Sequence, residues 1–138
     1  MVSNKAIRQA IYQKLNVASV TTHLGSGSAS LVHELAPPSA KYPLCLFNRQ
    51  SDTSVLRFGG NAFDNQVWQV KGVVRGSSSS TAEDIDKAVR DLLDFGTLTI
   101  TGGSLMFMAR ISGFEYTENE GDEVYRHCGS LYRVTVQT

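Results

Sequence analysis

An α+β fold, a mostly antiparallel sheet of about six strands with two helices packed on it, is predicted by three features of this chain. Between residues 65 and 95 the apolar period changes from two to 3.6, which places a strand directly before an amphipathic helix. A second helical stripe occupies the first fifteen residues. The remaining apolar segments are short and separated by turns rich in Gly, Asn and Asp, and such connections join neighbouring strands as hairpins. With 138 residues and no repeat, linker or low-complexity tail, the expectation is one domain over residues 1–138, large enough to bury a core without staples.

Each element has a local reason. Ser3 or Asn4 can cap the first helix, whose stripe is Ile7, Ala10, Ile11 and Leu15, with Arg8, Gln9, Gln13 and Lys14 outside. Asn16 ends it, and Val17, Val20 and Leu24 suggest one more helical turn before a flexible break at residues 25–28. Residues 31–35 form a short strand, stopped by Pro37 and Pro38, which cannot donate ladder hydrogen bonds. Tyr42-Pro43 leads into a strand over 44–50. Residues 51–64 read as an irregular loop whose Val55, Leu56, Phe58 and Phe63 have no core strand to sit on, so the loop is the best candidate for a contact between subunits.

The strand 66–75 should bury Trp68, Val70, Gly72 and Val74 on one face. A capping box, Ser80 with Glu83, opens the second helix, and Asp84 and Asp86 add charge favourable to its positive end. Its stripe is Ile85, Ala88, Val89, Leu92 and Leu93, and Gly96 should end it in the left-handed conformation. Residues 97–101 read as a strand, turned by Gly102-Gly103 into a long strand from Ser104 to Thr117. A turn at 118–122 leads to the last strand, 123–137.

Composition excludes several classes of function. Thirteen basic and thirteen acidic residues cancel, which argues against nucleic acid or an anionic membrane as the main partner. The charges are unevenly placed: residues 1–50 carry Lys5, Arg8, Lys14, Lys41 and Arg49 against Glu34, whereas 83–94 and 115–123 are acidic. A chain with a basic end and acidic patches can dock copies of itself head to side. No apolar run approaches eighteen residues, and the N-terminus lacks the apolar stretch of a signal peptide. Two cysteines, Cys45 and Cys128, make no disulfide scaffold, so folding in a reducing cytoplasm is expected.

Chemistry-bearing patterns are missing. His127 and Cys128 are adjacent on a strand and so point to opposite faces, unable to share one metal ion. The glycines at 25–27 follow a helix and have no lysine behind them, unlike a phosphate cradle. No nucleophile elbow frames a serine, and the aromatics are not interleaved with basic residues. The expectation is no enzyme, no cofactor and no metal.

The order of these features resembles the tail completion, or tail terminator, family of long-tailed bacteriophages. The resemblance runs through the helix Ala6-Ile7-Arg8-Gln9-Ala10-Ile11-Tyr12-Gln13-Lys14-Leu15, the strand end Ala36-Pro37-Pro38, and Tyr42-Pro43-Leu44-Cys45-Leu46-Phe47. It continues in Val67-Trp68-Gln69-Val70 with the helix over 82–93, and closes in Phe114-Glu115-Tyr116, Tyr125-Arg126-His127 and Tyr132-Arg133-Val134. It implies a virion structural protein, assembled in the host cytoplasm as a ring, commonly of six copies, on the head-proximal end of the tail tube. Such a ring stops tube growth and presents a surface to the head connector, so the implied partners are other copies, the major tail tube protein and a neck protein, with DNA passing through the channel. A closed ring needs one patch to meet a different patch on the next copy. The candidate contact residues are Val55, Leu56, Arg57 and Phe58 in the loop, and Glu118, Glu120, Asp122 and Glu123 in the last hairpin. Another neck-region ring, a minor tail protein, or a small-ligand module using the sheet face are the alternatives.

Overall fold

The computed structural model describes residues 2–57, 60–76 and 80–137. Its helices are α1 (Asn4–Leu15), α2 (Ala18–Thr21) and α3 (Ser80–Leu93). Its strands are β1 (Leu31–His33), β2 (Leu44–Arg57), β3 (Gly60–Arg75), β4 (Ser104–Glu120) and β5 (Glu123–Gln137), forming one sheet in the order β1-β2-β3-β5-β4. Only β1 and β2 pair in parallel; the rest are antiparallel, so the α+β prediction holds with five strands in place of six.

α1 forms as its stripe predicts. Ser3 caps it, its Oγ accepting from the Ala6 amide at 3.1 Å, and Asn16 closes it by donating to Tyr12 O. Ile7, Ala10, Ile11 and Leu15 all face the core. α3 adds Ala82, Ile85, Val89 and Leu93, and the sheet adds Phe47, Trp68, Val70, Met108, Tyr132, Val134 and Val136. Each large side chain buried this way contributes about 1.5–3 kcal/mol. The polar Gln66 is buried among them, accepting from Trp68 Nε1 at 2.8 Å and donating to Asn4 Oδ1 at 3.3 Å, which ties β3 to the start of α1. Cys45 and Cys128 are free and flank Gly72 in register on either side. Burial, with Asp86 adding to it, pushes the Cys45 thiol up to about 12 and the Cys128 thiol up to about 11, so both behave as small apolar groups.

Several local expectations change. Residues 51–57 and 60–64 are not a loop: they belong to β2 and β3, which pair with Asp52 opposite Gln66, Ser54 opposite Asp64 and Val55 opposite Phe63, and residues 58 and 59 lie outside the described residues. Bulges between Arg49 and Ser51 and between Val55 and Leu56 break the period of two, which hides the strand. Residues 97–100 are not a strand. Ile100 is buried in the core and Leu98 packs against it, so tertiary position overrides the propensity of the Thr-rich run. Residues 25–28 are no flexible break. The Gly25 amide donates to Pro43 O at 3.0 Å, Ser30 Oγ donates to Lys41 O at 2.7 Å, and a Cβ on Gly25 would lie 2.4 Å from Tyr42 O.

β1 stops at His33 because Glu34 adopts a φ of 64°. α3 already includes Ser80, and residues 77–79 before it lie outside the described residues. The left-handed residue after α3 is Phe95, at φ 56°, and not Gly96. Gly96 is required for another reason: a Cβ there would lie 2.0 Å from Leu92 O.

α3 and β3 approach each other closely. A Cβ on Gly72 would sit 2.9 Å from Ile85 Cβ and 3.1 Å from Ala82 O. Gly72→Val is therefore expected to lower the unfolding free energy by about 1–3 kcal/mol, with Gly72→Ala costing less. Urea denaturation measures both, and an unchanged midpoint for the valine variant would contradict this packing.

Candidate functional site

The helices occupy one face of the sheet. Strand alternation turns Val67, Gln69, Lys71 and Val73 of β3, with Leu131, Arg133 and Thr135 of β5, to the other face. Near Arg75 that face carries an aromatic layer. Tyr42 and Tyr125 have ring centres 5.3 Å apart, and the Arg75 guanidinium lies 5.7 Å from the Tyr42 centre. Tyr116 stacks on His127 at 4.3 Å, and Lys71 Nζ donates to Tyr116 Oη at 2.8 Å. His127 faces this layer whereas Cys128, its neighbour, packs with Val74 and Ala82 on the helix side, as strand alternation predicts. His127 Nε2 is 3.4 Å from Glu118 Oε1. Burial, helped by Lys71, holds the imidazole below its ordinary range, against a smaller opposing pull from Glu118.

The predicted contact residues fall at opposite ends of this sheet. Val55, Leu56 and Arg57 are the last residues of β2, in register with Phe63, Asn61 and Gly60; Phe58 lies outside the described residues. This end projects past the end of β5, because Phe63 is already opposite Gln137. Glu118 and Glu120 belong to β4 and Glu123 opens β5, so the turn is Gly121-Asp122 and not 118–122; all four acidic residues are exposed. Glu123 is 3.7 Å from Arg75, and Glu120 and Asp122 have no ion pair among the described residues. From Phe63 to Arg75 along β3 is roughly 40 Å. The two groups cannot form one patch on one copy.

Two features escape sequence reasoning. The first is the outer edge of β4, unpaired among the described residues along its length. Register shifts leave Met106 and Ile111 unmatched, and both are exposed, together with Phe107 and Phe95, whose rings meet at 5.8 Å. The second is a buried polar chain joining β4 to α3. Arg110 Nε donates to Ser130 Oγ, which donates to Asp86 Oδ1, each at 2.8 Å, and the Arg110 amide donates to Asp94 Oδ1 at 3.0 Å. Asp86 thus faces the sheet and does not serve the helix end. Ser130 is fully buried, so this Asp–Ser pair presents no nucleophile to a substrate; it holds α3 to the sheet. An Asp on the apolar side of the α3 stripe was the available signal.

His127 and His33 are both held below their ordinary range, burial being the larger cause in each. The unfolded chain then binds protons at a higher pH than the folded one. Stability is complete above the ordinary histidine range near 6.5 and falls as pH drops through it. The urea midpoint should decline between about pH 7 and 5.5, less steeply in His127→Gln; an identical slope in that variant would remove His127 from the account.

Known proteins share this fold. A chain in "Virion of native gene transfer agent (GTA) particle" is similar in structure, with a TM-score of 0.76 and 16% identity over 97% of this chain and 96% of its own. A second solved chain has a TM-score of 0.59 and 16% identity over 96% of this chain and 95% of its own. These likenesses bear on the fold alone. No curated protein matches in sequence. The family described as Tail completion protein gp17 matches residues 9–137, which is all but the first eight residues and the last. A match of that extent, over the one-faced sheet described above, makes this chain a member of the Tail completion protein gp17 family, a structural component of the phage virion tail and not an enzyme.

Proposed function

We propose that the protein closes into a ring, of six copies, on the head-proximal end of the tail tube, where it ends tube growth and offers the surface that joins the head connector. One observation supports the ring above all. Among the described residues the sheet has two unpaired edges that differ: all of β4, and β2 beyond the short stretch Cys45–Phe47 that β1 covers. β2 and β4 run in opposite directions, since each step from β2 through β3 and β5 to β4 is antiparallel. Copies placed side by side in one orientation can therefore oppose β4 of one to β2 of the next as antiparallel neighbours. That contact joins two different patches, and such contacts generate rings when the rotation closes. The β2–β3 and β4–β5 hairpins then lie at opposite ends of the sheet, with DNA passing through the channel.

Tails made without the protein should be overlong or unattached to heads in negative-stain images, and normal joined tails would sink the proposal. Tails of normal length that fail only to join heads would point to a head-closure ring instead. Leu56→Ser with Phe58→Ser should impair assembly with little change in thermal unfolding; full assembly would remove that hairpin from the contact.

A further inference from the structure

The charges of this chain cancel in number and not in place. α1 carries Lys5, Arg8 and Lys14 and no acidic residue, and none of the three forms an ion pair among the described residues. Beside it, a groove of about 390 Å³ opens between Arg8, Gln9, Tyr12, Gln13, His33 and Phe47. A smaller one of about 130 Å³ continues from it, sharing Arg8 and His33 and adding Arg49 and Glu34. Glu34 is 3.9 Å from His33, and Arg49 is 3.3 Å from Asp52, so Arg8 is the uncommitted charge of the groove. At the opposite edge of the sheet, residues 115–123 carry Glu115, Glu118, Glu120, Asp122 and Glu123 and no basic residue. Glu118 and Glu123 face His127 and Arg75; Glu115, Glu120 and Asp122 are exposed and unpaired among the described residues.

A copy's own acidic hairpin reaches toward β2 only across the open face, where Glu118 and Glu120 border Leu44 and Leu46, whereas its α1 lies on the other face of the sheet. The two patches can meet each other only between copies. We infer that the β4–β5 hairpin of one copy docks on the outer face of α1 of the next, with Glu120 and Asp122 against Lys5 and Arg8 and the tip entering the adjacent groove. This rests on the ring reading and deepens it, naming the two patches of the heterologous contact. Exposed ion pairs contribute little each, so the contact sets direction and register, and it weakens with salt.

Charge inversion tests it, read by co-sedimentation of the full chain with isolated tail tubes at low salt. Lys5→Glu with Arg8→Glu, and separately Glu120→Lys with Asp122→Lys, should each raise the half-assembly concentration about ten-fold or more, with thermal unfolding unchanged. Combining all four in one chain should restore assembly to within about three-fold of the unaltered chain, as should a 1:1 mixture of the two variants, since each inverted patch then meets its complement. Assembly of either variant like the unaltered chain, or a combined chain as poor as the single sets, would overturn the docking while leaving the ring. Failure of the unaltered chain to assemble on tubes would overturn the ring itself.

Discussion

The distance between α3 and β3 governs this molecule. Ile85 rests on Gly72, where any larger side chain would push the helix off the sheet. That approach has consequences along the helix. It carries Asp86 within reach of Ser130 on β5, and through Ser130 it fixes Arg110 on β4. At the end of the helix, the Phe95 amide reaches Met108 O at 2.9 Å, a second hold on the same strand. The outermost long strand is thus positioned by a helix that lies on an inner one. The open edge is as well placed as the core.

Much of this fold was legible in the sequence. The stripe of α1, its Ser3 cap, the buried face of β3 and most of the α3 stripe follow from periodicity and capping chemistry, because there local preference and burial agree. What was hidden has a common cause in long-range pairing. Bulges put the apolar residues of 51–64 out of step, and the strand there is recognisable only beside its partner. The run 97–101 had strand propensity without a neighbour to pair with. Phe95, and not Gly96, takes the left-handed conformation after α3, and the approach of Leu92 O that Gly96 admits exists only in three dimensions. The candidate site divides the same way. An acidic hairpin can be read from residues 115–123, whereas an edge strand is a property of topology and cannot.

The absence of catalytic patterns in the sequence gains physical content in the structure. Polar groups that might suggest chemistry are held in the interior as struts: Gln66 between Trp68 and Asn4, and Ser130 between Arg110 and Asp86. Both cysteines are shielded with raised thiol pKa values. Membership in a tail completion family fits a chain whose ordered polar groups are spent on holding one sheet rigid while its other face and edges stay open.

The two bulges of β4 bear on a hazard that any open-edged protein faces. An uninterrupted strand of seventeen residues at a sheet edge would template strand after strand, and a side-by-side contact would run on as a fibre. With Met106 and Ile111 out of step, the ladder along the first half of β4 is broken, and only the stretch from Ser112 to Glu120 keeps an even register. A partner strand must therefore be short and rightly placed to fit. A structural component of the virion tail thus carries, in its own edge, a limit on growing into a fibre.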